Sequence, residues 1–192
     1  KIWVDMGYEN IQVSVNFSAK QFALDNMVDD VRRILQETKL NPKNLKLEIT
    51  EYTALRESEK TIKMMRALAS MGLQISIDDF GTGYSSLAYL KRFPVHTLKM
   101  DKSFVDHVTD DEEDASFARM VIGIAHSMNM GLIAEGVETR DQLDFLRSEG
   151  CQFIQGYYFS KPLNSEAALA YLRRHYKGES TPSQVSMAFQ MP

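Results

Sequence analysis

The chain is short of several things, and each shortage narrows what it can be. Its 192 residues include one cysteine, Cys151. An intramolecular disulfide is therefore impossible, and a reducing, cytoplasmic setting fits. Cys151 belongs to no paired motif and reads as a small buried residue. No apolar run is long enough to span a bilayer, so no direct membrane contact is expected from this chain. No block of basic residues occurs and the net charge is −4. A duplex DNA or RNA binder would need a basic stripe, which argues against that class, and no nucleic-acid polymer is expected as a partner. A single nucleotide held by a few contacts is not excluded. Histidine is scarce as well. His96, His107, His126 and His175 all lie away from the predicted strand tips and read as structural or surface residues, which leaves zinc without its usual ligands. There is no Ser-His-Asp arrangement and no Walker loop, and Gly81-Thr82-Gly83 is too short for a dinucleotide fingerprint.

What remains is an ordinary globular composition, 44% hydrophobic and 25% charged, with enough residues for one sizeable core. Strand-like runs alternate with amphipathic helical patterns. The strands are expected at 11–17, 45–50, 73–79, 97–101, 132–136 and 153–156. The helices are expected at 18–38, 52–71, 85–92, 114–130, 139–148 and 165–176. Ser18 with Gln21 and Thr139 with Gln142 are spaced as capping boxes, and Gly72 stands where a left-handed helix end is wanted. Such alternation predicts a parallel α/β sheet or barrel. Residues 1–177 are expected to form one domain and residues 178–192 a polar tail. Lys1 to Asp5 read as the end of a helix already under way, as if the chain starts inside a domain.

The strands share one oddity. In Ile11-Gln12-Val13-Ser14-Val15-Asn16, in Leu45-Lys46-Leu47-Glu48-Ile49-Thr50 and in Ile75-Ser76-Ile77-Asp78, aliphatic and polar residues alternate. Successive side chains point to opposite faces of a strand. A sheet covered by helices on both sides would want aliphatics on both faces. Alternation therefore favours a barrel with a polar lumen. Each polar set ends in a candidate ligand near the C-terminal tip of its strand: Asn16, Glu48, Asp78 with Asp79, Lys99 with Asp101, Glu135, and Gln155. Active sites of such barrels sit at that rim.

Asp78-Asp79-Phe80-Gly81-Thr82-Gly83-Tyr84 is the most telling stretch. Two unit charges about 4 Å apart repel by roughly 4 kcal/mol at an effective dielectric near 20. A cation at the strand tip turns that cost into a gain. Carboxylate and amide oxygens suit magnesium, manganese or calcium.

With these residues in view, the chain resembles the EAL domain family, the cyclic di-GMP phosphodiesterases of bacterial signalling. The matching segments, in the family's order, are Ser14-Val15-Asn16-Phe17-Ser18, Glu48-Ile49-Thr50-Glu51, the Asp78–Leu87 stretch, Leu98-Lys99-Met100-Asp101-Lys102-Ser103-Phe104, Ala134-Glu135-Gly136-Val137-Glu138-Thr139, and Gln155 through Leu163. The resemblance implies a modified TIM-type (β/α) barrel, a two-metal site for Mg2+ or Mn2+, and hydrolysis of cyclic di-GMP to linear pGpG. It implies that Ca2+ binds without turnover. By similarity, Asn16, Glu48 and Asp78 hold the first metal, and Asp78, Asp79 and Glu135 serve the second. Lys99, Glu135 and Asp79 are the implied catalytic residues. Gln155, Glu51, Glu138, Asp101 and Pro162 bind substrate or support loops. A homodimer through the loop after Gly81 and nearby helices is implied too.

One departure stands out. The Glu-Ala-Leu triad that names the family is nowhere in the chain; Tyr52-Thr53-Ala54-Leu55 and Glu166-Ala167-Ala168-Leu169 do not supply it. The expectation is that the first two strands of the family barrel are absent from this chain, leaving six of eight. The open edges would invite pairing with another chain, and the loss of one glutamate ligand would weaken metal binding and activity. Three other readings stay open: a non-catalytic cyclic di-GMP-binding or protein-interaction module, a metal-dependent lyase using a lysine base, and a purely structural interaction domain.

Overall fold

The computed structural model describes residues 1–56, 58–83 and 87–175. Six parallel strands form one sheet in chain order: β1 (Val13–Phe17), β2 (Leu45–Thr50), β3 (Gln74–Phe80), β4 (Thr97–Met100), β5 (Gly131–Ala134) and β6 (Phe153–Ile154). Every ladder is parallel, and each strand pairs with the one before it in sequence. Helices cross between them, as the right-handed βαβ rule requires. Among the described residues β1 and β6 pair with no further strand, so the sheet is open at both edges.

The strand positions follow the sequence reading closely. The helices depart from it in three places. The first expected helix is two, α2 (Ala19–Phe22) and α3 (Met27–Thr38), after the short opening helix α1 (Ile2–Asp5). The Ser18–Gln21 capping box forms, but α2 ends at Ala23, and Asn26 restarts the chain as the residue before α3. The second is described as α4 (Glu51–Arg56) and α5 (Ser58–Ser70), with residue 57 between them outside the described residues, and it begins one residue earlier than expected. Of the third, α6 (Leu87–Leu90) ends two residues earlier than expected, and residues 85 and 86 lie outside the described residues. Beyond these lie α7 (Glu112–Ser127), α8 (Arg140–Ser148) and α9 (Ser165–His175). The Thr139–Gln142 box caps α8 as its spacing predicts. The expected polar tail lies outside the described residues.

The aliphatic set of β2, β3 and β4 is sealed beneath the helices, while Val13, Val15 and Phe17 of β1 are half-buried. Leu47, Ile49, Ile75, Leu98 and Met100 are fully buried with Met65, Leu68, Val121 and Leu146 of the covering helices. The polar set is buried too, on the opposite face: Lys46, Glu48, Ser76, Asp78, Thr97 and Lys99. Polar side chains survive there because they satisfy one another; among the described residues no deeply buried side-chain nitrogen or oxygen lacks a partner. Cys151 is buried as expected, and burial pushes its thiol up to about 11. No described helix is long and apolar enough to cross a membrane.

Leu98→Ala, at a fully enclosed site, is expected to cost about 2–5 kcal/mol in urea unfolding. Ile34→Ala, at a residue 49% exposed, is expected to stay within about 0.5 kcal/mol.

Candidate metal centre

Lys99 lies at the heart of the polar face. Its Nζ is 2.8 Å from Glu48 Oε2, 2.8 Å from Asp78 Oδ1 and 2.8 Å from Glu135 Oε1. Three strands and the end of a fourth therefore meet on one ammonium. The lysine side chain is 5% exposed and those of Glu48 and Asp78 8% and 12%, so bulk water does little of the screening. Burial alone would lower the Lys99 pKa, but Glu135, Glu48 and Asp78 outweigh it and hold the ammonium above its ordinary value. One positive charge does not balance three carboxylates. The excess falls on Glu135: burial raises its pKa, Lys99 opposes, and Asp78 and Glu48 add to the rise, taking it to about 7.

Strict alternation would send Asp78 and Asp79 to opposite faces of β3. A bulge prevents this. In the β3–β4 ladder Ile77 faces Leu98 and Phe80 faces Met100, so Asp78 and Asp79 together stand opposite Lys99. Asp79 takes up the extra residue with φ 54°, in the left-handed region. That conformation costs an L-residue roughly 1–2 kcal/mol and is least unfavourable for Asp and Asn. The chain then turns sharply: Asp79 O accepts from Thr82 N–H at 3.3 Å and Thr82 Oγ1 at 2.8 Å. As a result carboxylate oxygens of Asp78, Asp79 and Glu135 lie within 4.8 Å of one another. Burial and the neighbouring Asp78 and Asp101 raise the Asp79 pKa.

The other predicted residues take distinct places. Asn16 is exposed on the edge strand β1, directly opposite Glu48 in register and so on the same face. Glu51 is buried under the turn after β3, where its Oε2 accepts from Gly81 N–H at 3.0 Å. A Cβ on Gly83 would stand 2.9 Å from Glu51 Oε1. Asp101 follows β4 and accepts from Ser103 N–H at 3.0 Å, starting the 3-10 turn Lys102–Phe104. Glu138 pairs with Lys102 at 2.9 Å. Gln155 extends the β5–β6 pairing through its backbone: its N–H donates to Ala134 O at 2.8 Å and its O accepts from Val137 N–H at 3.1 Å. Pro162 is exposed and stands outside the carboxylate cluster.

Sequence reasoning placed Lys46 on the polar face but gave it no role. It is buried in the lumen, and burial, with Lys99 nearby, lowers its pKa despite Glu48. His96 supports the strand ends, its Nδ1 accepting from Ile75 N–H at 3.1 Å.

Comparison with known proteins agrees with this geometry. The EAL domain model matches residues 3–162. The chain belongs to the EAL domain family. It is 42% identical over 170 residues to the bifunctional diguanylate cyclase/cyclic di-GMP phosphodiesterase MucR of Pseudomonas aeruginosa, covering 88% of this chain and 25% of that protein. It is 41% identical to the cyclic di-GMP phosphodiesterase NbdA of the same organism, covering 92% of this chain and 22% of the relative. The chain thus spans about a quarter of the length of these curated relatives. Among solved structures, the MucR phosphodiesterase in complex with c-di-GMP superposes with a TM-score of 0.84 at 41% identity, over 87% of this chain and 68% of that one. BlrP1 of Klebsiella pneumoniae, solved with manganese and cyclic di-GMP, gives 0.73 at 27% identity, over 79% and 39%. The EAL neighbours are TIM-barrel-like, and the six-stranded parallel sheet is consistent with part of such a barrel.

The raised Glu135 pKa sets a sign. The unfolded group titrates near 4.5 and the folded one near 7, so the folded state holds the extra proton between those values. Its contribution is complete below pH 4.5 and lost as pH rises through 7, by up to about 3 kcal/mol. In EDTA, Glu135→Gln is expected to flatten the pH dependence of the unfolding free energy over that window. Lys99→Met is expected to cost about 3–5 kcal/mol at pH 8, with a smaller loss at pH 5, by chemical denaturation.

Proposed function

We propose that this chain is a metal-dependent phosphodiesterase domain that cleaves one phosphodiester of cyclic di-GMP to give linear pGpG. The observation that carries the reading is the meeting of Glu48, Asp78 and Glu135 on the Lys99 ammonium, with Asp79 turned toward them by the β3 bulge. Relatives named as cyclic di-GMP phosphodiesterases support the substrate.

The donor set fits hard divalent cations: it is built of carboxylates, carries excess negative charge, and has no thiolate or imidazole within it. Asn16, Glu48 and Asp78 would hold one ion, and Asp78, Asp79 and Glu135 a second. Two such ions supply charge neutralisation of the phosphate, a water of lowered pKa and stabilisation of the departing oxygen. In the reaction a water oxygen bonds to phosphorus, the bond from phosphorus to the ribose 3′ oxygen breaks, and that oxygen leaves as a hydroxyl after gaining a proton. The Lys99 ammonium is placed to lie against the phosphate oxygens as their charge grows. Glu135 would either hold the second ion or accept a proton from the attacking water at a carboxylate oxygen. Glu51 holds the loop that carries Asp79. Gln155, Asp101, Glu138 and Pro162 are assigned to the surrounding rim, where they contact substrate or support its loops.

A cytoplasmic setting fits this reading, with the single cysteine Cys151 buried and unpaired in any disulfide. A homodimer through the loop after Gly81 is supported by the exposed Tyr52 of α4 and Leu87 and Tyr89 of α6.

Turnover of cyclic di-GMP followed by chromatography, with binding followed by calorimetry, tests the reading. Slow but metal-dependent formation of pGpG is expected with Mg2+ or Mn2+, and nucleotide binding without turnover with Ca2+. Asp78→Asn is expected to lower turnover by about a hundredfold or more. Binding without turnover under Mg2+ or Mn2+ would assign the non-catalytic module instead, and neither binding nor turnover would refute both.

A further inference from the structure

Asp79 reaches the cluster through its left-handed backbone conformation, with its N–H donating to Asp78 Oδ1 at 3.1 Å. Two residues on is Gly81, at φ 102°. Glycine moves freely among conformations that other residues avoid, so the constraint must come from packing around it. That packing is specific. The rings of Phe104 and Phe117 are stacked, with centroids 3.9 Å apart and planes 19° from parallel. Phe104 closes the 3-10 turn after β4, and Phe117 projects from α7, so two separate elements build one wall. A Cβ on Gly81 would meet Phe117 Cζ at 2.7 Å, Phe117 Cε1 at 2.9 Å and Phe104 Cε2 at 3.0 Å. On another side Glu51 Oε2 accepts the Gly81 N–H at 3.0 Å. Gly81 is thus held between an aromatic wall and a hydrogen bond, one short turn from Asp79.

We propose that the stacked Phe104–Phe117 pair is a positioning element for the metal centre: by walling Gly81 it holds Asp79 in the left-handed conformation that brings its carboxylate beside Asp78 and Glu135. Neither ring supplies an atom to the cluster, whose oxygens come from Asp78, Asp79 and Glu135. Both act through the 79–82 turn, and both are only half-buried at the edge of the core. Removing one ring therefore leaves the fully enclosed layer under β3 and β4 in place, and the effect on the site can be separated from general unfolding. The pair also joins α7 to the site mechanically, since a shift of that helix moves one face of the wall.

The proposal rests on the reading of the carboxylates as a divalent-cation site, and the test keeps the two apart. Mn2+ affinity is measured by calorimetry and by electron paramagnetic resonance on the chain and on Phe117→Ala, Phe117→Leu, Phe104→Leu, Gly81→Ala, Gly81→Ala/Phe117→Ala and Asp79→Asn, with thermal midpoints recorded in EDTA. Phe117→Ala is expected to weaken Mn2+ binding about ten- to a hundredfold, as loss of a supporting contact does, and Phe117→Leu to recover part of it. Gly81→Ala, which drives a methyl into the same rings, is expected to weaken binding comparably. Because the clash needs both partners, the double variant is expected to lose less than the two single losses combined. Should Phe117→Ala fail to fold, Gly81→Ala and Phe104→Leu decide the matter. Unchanged affinity in the wall variants, with loss in Asp79→Asn, overturns the positioning role and leaves the cation site standing. Loss of affinity only in proportion to the fall in thermal midpoint also overturns it. No Mn2+ binding by the unaltered chain overturns the site, and the proposal with it.

Discussion

One ammonium shared among three buried carboxylates is the constraint around which the rest of the structure is arranged. Lys99 comes from β4, Glu48 from β2, Asp78 from β3 and Glu135 from the end of β5. Groups of this kind are costly to bury without partners and stabilising only when their geometry is fixed. The parallel sheet fixes it: neighbouring strands lie about 4.8 Å apart, and equivalent tips project to the same side. Helix packing on the aliphatic face holds those tips in register. Burial, with Asp78 and Glu48 adding to it, raises Glu135, and the same enclosed, incompletely balanced carboxylates make the site attractive to a divalent cation.

A second constraint is local. Adjacent carboxylates on a regular strand would serve opposite faces, and Asp78-Asp79 would then give the lumen one ligand. The bulge opposite Lys99, the left-handed Asp79 and the turn closed by Thr82 change that count to two. Glu51 below and the Phe104–Phe117 stack beside Gly81 keep the turn where it is. The site is thus made from strand tips of ordinary geometry plus one irregular loop, and the irregular part carries the added ligand.

Much of this was legible in the residues. Period-two alternation in Leu45–Thr50 and Ile75–Asp78 identified the polar face, and the positions of Asn16, Glu48, Asp78, Lys99 and Glu135 at strand tips followed from it. The two capping boxes form as spaced. Other features were not legible because their causes are not local. The bulge depends on how β3 meets β4, which no pattern within 74–80 records. The contact between Phe104 and Phe117 joins a 3-10 turn to a helix across the loop 105–111, and neither residue differs in sequence from a core aromatic. The break after Ala23 falls inside a stretch whose apolar spacing alone reads as continuous helix. Ile34 shows the same limit: it fits the stripe of α3, yet it stands half exposed while Met27, Val31 and Leu35 are enclosed.

Anomalous scattering from crystals soaked in Mn2+ tests the central claim most directly. The account predicts ordered manganese bounded by the carboxylates of Asp78, Asp79 and Glu135, at the mouth of the sheet beside Lys99. Crystals that take up manganese only elsewhere, or that show none between those carboxylates while their side chains remain ordered, would contradict it.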